Sequence, residues 1–192
     1  LCASAALRGG AGLVKIATDA VLLPALIAIE PSATGVILSN DPSLAGVDPD
    51  GRAVLAVGPG MGRTKHASEI VARLLQGNRR MVLDADGLNV LAATGQARQG
   101  SACELIMTPH PGEFARLAEP LGIVDSATDP ATRPAAAAKL AQAHCAVVVL
   151  KGRRTIVSDG QRAYENQTGN PALATAGTGD VLTGLIASLV AQ

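Results

Sequence analysis

The chain has 192 residues and a formal net charge of zero at pH 7, with 16 Lys and Arg balanced by 16 Asp and Glu. We expect residues 1–192 to form a single domain, because this length is typical of one hydrophobic core. Balanced charge and only one Phe and one Tyr argue against a nucleic-acid-binding protein, which needs basic patches and stacking surfaces. The apolar runs are interrupted well before the ~20 residues of a membrane helix, so we expect no membrane contact.

The cysteines and the chain ends carry further expectations. Cys2, Cys103 and Cys145 show no C-x-x-C spacing, which predicts neither a disulfide framework nor a thiolate zinc site. We expect small buried thiols in a reducing, cytoplasmic protein. The sequence opens at Leu1 inside an Ala-rich helical pattern and stops in an apolar helix, so we expect the native terminal segments to be missing.

Short aliphatic runs alternate with helical patterns along the chain. An apolar stripe within residues 70–75 and the Ala-rich segment 131–145 predict helices, and two strand-like runs around Asp159 and Gly160 predict a hairpin. Since the aliphatic runs lack polar alternation, they predict strands covered on both faces, at residues 12–18, 35–39, 53–58, 80–86, 104–108 and 146–152. The alternation predicts an α/β fold with a mostly parallel sheet and ligands beyond the carboxyl ends of its strands.

A glycine-rich loop, GPGMGR, follows the third of these strands. Gly58, Gly60 and Gly62 can bring backbone N–H groups close to an anionic ligand, or they can form a tight turn. Their spacing is neither that of a dinucleotide fingerprint nor that of a Walker A loop.

Acidic and amide side chains follow the fourth strand, in LDADGLN. Asp84 and Asp86 end the strand, and Asn89 lies in the next helix. Such residues can hold Mg²⁺ or a polar substrate, and they can equally cap the helix.

A histidine follows the fifth strand, in TPHPGE. Pro109 and Pro111 flank His110 and restrict its backbone, so the loop is either a stiffened ligand site or a surface turn. Glu113 enters the first turn of a helix, where a carboxylate is favoured. We assign no role to His66 or His144.

A lysine follows the sixth strand, in LKGRRT. Lys151 can meet a phosphate or can be a solvated strand end, and the neighbouring Arg153 and Arg154 favour an anion.

The last motif is GNPALATAGTGD. Apolar residues recur after Asp180 with helical spacing, so a helix should begin near Gly179 or Asp180. Gly177 and Gly179 leave N–H groups open as a nest for an anion. A carboxylate beside that nest can accept a proton from a hydroxyl while the nest stabilises a phosphoryl group; helix capping is the alternative.

Six motifs in this order resemble the ADP/ATP-dependent NAD(P)H-hydrate dehydratases of the ribokinase-like superfamily. The resemblance covers essentially the whole chain, and TPHPGE with GNP and GTGD is its most specific part. It implies a three-layer α/β/α sandwich with a mostly parallel central sheet. The motifs are GAGLVKIAT, GPGMGR, VLDADGLN, TPHPGEF, VVLKGRRT and NQTGNPALATAGTGDVLTG.

The resemblance implies that hydrated NADH or NADPH is phosphorylated at its hydroxyl by ADP or ATP and then loses phosphate. Asp180 would be the base at a nest formed by Gly177 and Gly179, and Gly60 and His110 would contact the hydrated dinucleotide. Mg²⁺, a homotetramer and cooperation with an NAD(P)H-hydrate epimerase are also implied. The remaining loop residues are grouped as further substrate-binding positions (Gly58, Gly62, Asp86 and Asn89) and as nucleotide-binding positions (Lys151, Gly152, Arg153, Arg154, Thr155, Asn170 and Gly179).

Two other functions remain as alternatives at this point. A ribokinase-like kinase for a vitamin precursor would share the GTGD chemistry but release a phosphorylated product. A non-catalytic nucleotide-sensing module would bind nucleotide without turnover, and the presence of Asp180 argues against it.

Overall fold

The computed structural model describes residues 1–38, 46–48, 50–98 and 104–192. In these ranges the helices are α1 to α7, at Cys2–Arg8, Leu23–Ile29, Lys65–Gln76, Ala85–Ala93, Pro111–Ala118, Arg133–His144 and Thr178–Ala191. The strands are β1 to β8, at Lys15–Thr18, Thr34–Ile37, Val54–Val57, Arg80–Leu83, Glu104–Met107, Ala146–Leu150, Ile156–Ser158 and Ala163–Glu165. The described part of the chain contains no helix that is both long and apolar enough to span a membrane.

The central sheet has the order β3-β4-β5-β6-β7-β8, with β3 to β6 parallel and β7 and β8 antiparallel. The connections from β3 to β4, β5 and β6 are right-handed and each runs to the next strand in the same direction across the sheet, so α3 to α6 lie on one face of the sheet. On the other face α7 packs on β3 and β4, and α1 packs on α7. The prediction of a three-layer α/β/α fold is therefore confirmed.

The core lies between the parallel strands and their crossover helices. Each strand contributes alternating or continuous buried residues, and each helix contributes one apolar stripe, so the sheet face is fully covered. The largest side chains with less than 2% exposure are Met81, Leu83, Leu88, Met107, Leu117, Leu140, Leu150 and Ile156.

The hairpin predicted around Asp159 is confirmed as β7 and β8. Asp159 Oδ1 accepts hydrogen bonds from the N–H groups of Gln161 (2.9 Å) and Arg162 (2.7 Å). These bonds favour the charged carboxylate and lower the pKa of Asp159 to about 2. The turn is thus closed by its own acidic side chain.

The first two strands differ from the prediction. β1 and β2 pair in parallel only with each other, and neither strand has a buried residue. An aliphatic run indicates a strand, but the sequence alone does not show what packs on it. Ser39, which ended the predicted run, lies outside the described residues.

The cysteines also depart from the expectation of burial. Cys2 is half-buried, whereas Cys145 is exposed. Cys145 has a φ of 48° and ends α6 in the left-handed conformation, a position that places its side chain outside the core. Cys103 lies outside the described residues.

The contact between α1 and α7 depends on small residues. A Cβ on Gly184 would lie 2.2 Å from the carbonyl oxygen of Cys2, and one on Gly9 would lie 2.1 Å from Ser188 Oγ. Because the obstacle at Gly184 is backbone, no rotamer change can relieve it. The two helices therefore approach as closely as they do because position 184 has no side chain.

We predict that Gly184→Ala lowers the free energy of unfolding by about 1–3 kcal/mol, the usual cost of overpacking. Gly12→Ala is the matched control, since a Cβ at Gly12 has no neighbour within 4 Å. Urea denaturation measures both variants. Equal stability of the two variants would contradict the packing described for α1 and α7.

His144 is a buried base without a partner. It is 1% exposed, and among the described residues neither ring nitrogen has a hydrogen-bond partner. Burial, with a smaller contribution from the charge of Arg98, lowers the pKa of His144 to about 4. The folded state therefore holds this imidazole neutral.

We predict that acid destabilises the fold through His144. The unfolded state binds this proton near pH 6.5 and the folded state near pH 4, so stability falls as the pH drops through that window. The expected loss between pH 7.5 and pH 5 is about 2 kcal/mol. Urea denaturation at both pH values should show a smaller loss of unfolding free energy in His144→Leu than in the wild type. His66→Gln, at an exposed histidine of α3, should show the wild-type loss. A wild-type loss in His144→Leu would exclude His144 as the cause.

Candidate active site

Four loops meet at one edge of the sheet because parallel strands end on the same side. Gly58 follows β3, Asp84 follows β4, His110 lies three residues beyond β5, and Lys151 follows β6. The N-terminal end of α7, called the helix mouth below, reaches this edge from the face of the sheet opposite α3 to α6. The sequence motifs are therefore brought together by topology, although long segments separate them in the chain.

The helix mouth begins at Gly177, the N-cap residue of α7. Its φ of 87° is left-handed, and glycine has no side chain that could cap the helix. The helix starts at Thr178, slightly before the predicted start. Its first intrahelical bond runs from the N–H of Val181 to the oxygen of Gly177 at 3.0 Å, which leaves the N–H groups of Gly179 and Asp180 directed outwards. An anion at this end is favoured by the helix dipole.

Asp180 lies in the first turn of α7 and is half-buried. No hydrogen bond from a described residue reaches its carboxylate, so it does not cap its own helix. Its charge is felt by Cys2 on α1, where burial first and Asp180 second raise the pKa of the thiol to about 11. The Asp180 carboxylate is therefore half-buried and without a hydrogen-bond partner among the described residues.

Asp84 is the most buried charge at this edge, with 1% exposure. It precedes α4, but its side chain makes no cap hydrogen bond. Instead its Oδ1 accepts from Lys151 Nζ at 2.7 Å and its Oδ2 accepts from Thr183 Oγ1 at 2.8 Å. Of the two functions weighed for this residue, helix capping is excluded by the structure.

Lys151 joins the acids to the helix mouth. Its Nζ lies 3.8 Å from Glu113 Oε2 as well as 2.7 Å from Asp84 Oδ1. It also lies 3.4 Å from the place where a Cβ of Gly179 would stand. A positive charge thus lies beside the nest at the start of α7, and Lys151 is not a solvated strand end.

The TPHPGE loop forms a capping box at the start of α5. His110 Nδ1 accepts from the N–H groups of Gly112 (3.0 Å) and Glu113 (3.3 Å), while Glu113 Oε2 accepts from the N–H of His110 at 2.8 Å. The His110 side chain remains 52% exposed. The sequence analysis missed this cap because Ser, Thr, Asp and Asn are the usual residues there.

The GPGMGR loop approaches the β4 end closely. Gly58 has a φ of 120°, and a Cβ there would lie 1.8 Å from the carbonyl oxygen of Asp84, so only glycine fits. The N–H of Gly62 donates to Asp86 Oδ2 at 2.9 Å, and Arg63 Nε lies 3.3 Å from Asp86 Oδ1. Gly60 has open space in front of its Cα.

The neighbouring Asn89 on α4 is also engaged within the protein. Its Oδ1 accepts a hydrogen bond from Arg116 Nε of α5 at 2.8 Å. Asp86 and Asn89 therefore support the surrounding loop and helix, and each fixes one exposed arginine at this edge.

A cavity of about 410 Å³ adjoins the LKGRRT loop. Arg133 of α6 lies beneath this loop, 7% exposed, and its NH2 group donates to the carbonyl oxygens of Leu150 (3.1 Å) and Lys151 (3.3 Å). Burial lowers the pKa of Arg133. The cavity is lined by Thr128, Pro130, Arg133, Arg153, Arg154, Ile156 and Glu165.

Of the remaining nucleotide-site candidates, Gly152, Arg154 and Thr155 lie in this loop, whereas Asn170 does not. Thr155 Oγ1 donates to the carbonyl of Gly152 at 3.0 Å, and Arg154 pairs with Glu165 at 3.2 Å. Asn170 lies apart on an exposed segment, where its side chain accepts from the N–H of Ala172 at 2.8 Å and caps a short 3-10 helix. Contacts among the described residues therefore do not connect Asn170 to Asp84 or Lys151.

The sequence predicted no ligand or catalytic role for three side chains in this arrangement: Thr183, Glu113 and Arg133. A threonine inside an apolar helix, a glutamate in a first turn and an arginine before a proline are each common, so no local pattern distinguishes them. Their partners are what give them significance. Of the described residues, no group of three or more His, Cys, Asp or Glu side chains is placed to bind a metal ion by itself.

The comparisons with known proteins agree with this geometry. The family profile described as NAD(P)H-hydrate dehydratase matches residues 1–192. A bifunctional NAD(P)H-hydrate repair enzyme, Nnr, from Moorella thermoacetica is 42% identical over 213 aligned positions, which cover 100% of this chain and 38% of that protein. The chain thus spans about two fifths of the length of this relative.

Solved structures give the same result. A ribokinase-like superfamily protein from Enterococcus faecalis is 28% identical with a TM-score of 0.80, over 100% of this chain and 65% of that one. The ADP/ATP-dependent NAD(P)H-hydrate dehydratase of Bacillus subtilis, co-crystallized with ATP/Mg²⁺ and soaked with CoA, is 28% identical with a TM-score of 0.76, over 99% and 67%. The chain belongs to the NAD(P)H-hydrate dehydratase family and has its ribokinase-like fold.

Proposed function

We propose that this protein repairs hydrated NADH or NADPH by phosphorylating the hydroxyl group and eliminating phosphate. The observation that carries the proposal is the position of Lys151 Nζ beside Gly179, at the helix mouth where Asp180 has no hydrogen-bond partner among the described residues. A cation, outward N–H groups and a carboxylate at one point are what transfer of a phosphoryl group to an alcohol requires.

In this reaction Asp180 accepts the proton of the substrate hydroxyl as its oxygen attacks the terminal phosphorus of the nucleotide. The bond between that phosphorus and the bridging oxygen breaks, so ADP leaves as AMP or ATP leaves as ADP. The N–H groups of Gly179 and Asp180 stabilise the charge of the group in transit. The C–O bond of the phosphate ester then breaks, inorganic phosphate leaves with the bonding electrons, and loss of a proton from the adjacent ring carbon forms the double bond of the reduced nicotinamide.

The two substrates would occupy opposite sides of this point. The nucleotide lies along the LKGRRT loop and its cavity, where Arg153 and Arg154 supply positive charge. The hydrated dinucleotide lies along the GPGMGR and TPHPGE loops, where Gly60 faces open space and the His110 side chain is exposed. Gly58, Gly62, Asp86 and Asn89 shape this second side. The family resemblance adds Asn170 as a residue near the phosphates, although it caps its own exposed segment in the structure.

Mg²⁺ belongs to the proposal as an ion carried mainly by the nucleotide phosphates, whose charge it would neutralise. The buried acids at the sheet edge do not fit it as they stand, because both oxygens of Asp84 and Oε2 of Glu113 already accept hydrogen bonds within the protein. Co-crystallization of the Bacillus subtilis dehydratase with ATP/Mg²⁺ supports this part of the proposal.

Three broader expectations belong to the same proposal. The Moorella thermoacetica relative is a bifunctional repair enzyme, which supports cooperation with an NAD(P)H-hydrate epimerase. A homotetramer follows from the family resemblance described above, and a cytoplasmic location follows from the cysteine pattern.

We predict that the protein, given NADH hydrate, Mg²⁺ and either ADP or ATP, restores the absorbance of reduced nicotinamide and releases inorganic phosphate in step with it. Running both donors in parallel identifies the preferred nucleotide. Accumulation of a phosphorylated alcohol would instead identify a kinase. Nucleotide binding without turnover of either donor would identify a sensing module.

We predict that Asp180→Asn lowers kcat by at least about 10²-fold, because the amide cannot accept the hydroxyl proton. Nucleotide affinity, measured by calorimetry, should remain. Asp159→Asn is the matched control, since Asp159 lies on the hairpin at the opposite end of β6. Normal turnover by Asp180→Asn would remove Asp180 as the base.

A further inference from the structure

The Thr183 hydroxyl connects α7 to the sheet. Thr183 has 0% exposure, and its Oγ1 donates to Asp84 Oδ2 at 2.8 Å across 99 positions of sequence. A threonine inside a helix often bonds a carbonyl of its own preceding turn. Here the bond goes to a carboxylate on another element, so its effect is on the placement of the helix.

The position of Thr183 makes this bond relevant to Asp180. Thr183 is three residues after Asp180 and four after Gly179, so it lies one turn below them on the same side of α7. A Cβ on Gly179 would stand 3.6 Å from Asp84 Oδ2. A bond that holds Thr183 therefore holds the rotation and depth of the first turn.

Apart from its packing on α1, β3 and β4, the helix mouth has few side-chain hydrogen bonds among the described residues. Gly177, at the N-cap position, has no side-chain cap, and the bond between Thr175 Oγ1 and Thr178 Oγ1 at 3.1 Å stays within the exposed local chain. The two oxygens of Asp84 have different partners: Oδ1 accepts a hydrogen bond from Lys151 Nζ, and Oδ2 accepts one from Thr183 Oγ1. One buried carboxylate thus sets the ammonium group and the helix mouth relative to each other.

We infer that Thr183, through Asp84, is a positioning residue that keeps the first turn of α7 aligned with Lys151. The role rests on the proposed function, in which Asp180 and the lysine act on the same phosphoryl group. Loss of the hydroxyl shifts or loosens the turn, and the reacting groups no longer meet in line. A displacement of about 1 Å at such a site costs on the order of 10²-fold in rate.

The kinetic test compares three variants. Thr183→Val keeps the shape and removes the hydroxyl, and Thr183→Ser keeps the hydroxyl. Ser188→Ala removes another buried hydroxyl of α7, whose hydrogen bond among the described residues goes to Leu185 of its own helix. We expect kcat to fall about 10-fold to 100-fold in Thr183→Val with little change in either KM, because binding contacts remain. Thr183→Ser should restore most of kcat, and Ser188→Ala should match the wild type. Wild-type kcat in Thr183→Val would overturn the role.

A second measurement does not depend on turnover. Hydrogen–deuterium exchange of the amides of residues 181–184, the first that are hydrogen-bonded within α7, should be faster without substrates in Thr183→Val than in the wild type and normal in Thr183→Ser and Ser188→Ala. Equal exchange in Thr183→Val and the wild type would overturn the inference. If the wild type repairs no hydrate with either donor, the proposed function fails while this exchange result still decides the positioning role.

A substitute variant is available if Thr183→Val does not fold. Should Thr183→Val not fold, Thr183→Cys takes its place, because a thiol of similar size is only a weak donor. We expect Thr183→Cys to lower kcat and to speed amide exchange at the start of α7, each by less than the change predicted for Thr183→Val. Wild-type values of both quantities in Thr183→Cys would likewise overturn the role.

Discussion

The contact between Asp84 and Lys151 is the interaction on which the candidate active site depends. A carboxylate with 1% exposure is stable in a protein interior only when it is paired and hydrogen-bonded, and removing one partner of such a pair costs about 3–5 kcal/mol. Lys151 and Thr183 supply the partners, from the end of β6 and from α7. The same interaction therefore satisfies a buried charge and joins the two elements that carry the proposed chemistry.

The parallel sheet is what makes that contact possible. The ends of β3 to β6 lie at one edge, so each crossover loop delivers its polar residues to the same place. Local hydrogen bonds then give each loop a defined shape: the capping box of His110 and Glu113 shapes one, and Asp86 holds the amide of Gly62 in another. Several candidate ligand residues thus also serve as structural supports, which leaves Asp180 as the acid at this edge whose side chain has no hydrogen-bond partner among the described residues.

The family assignment and the geometry support each other from different directions. The family profile covers residues 1–192, and the similarity to a dehydratase structure reaches a TM-score of 0.76. The geometry adds the distances that a reaction needs. A kinase and a dehydratase of this fold share the helix mouth, because both begin with phosphoryl transfer to an alcohol; what differs is whether the ester then leaves.

The α/β class, the six strand runs, the hairpin at Asp159 and the family could be predicted from the amino-acid order alone, because each depends on local periodicity, turn residues or motif order. Asp180, Lys151 and His110 were also predicted as candidates, since unusual residues stand at strand and helix ends. The folded structure was needed to show that β1 and β2 have no buried residue, and that Asp84 pairs with Lys151 and Thr183 instead of capping α4. Those contacts join residues 67 and 99 positions apart, and no local pattern encodes which distant side chain will arrive.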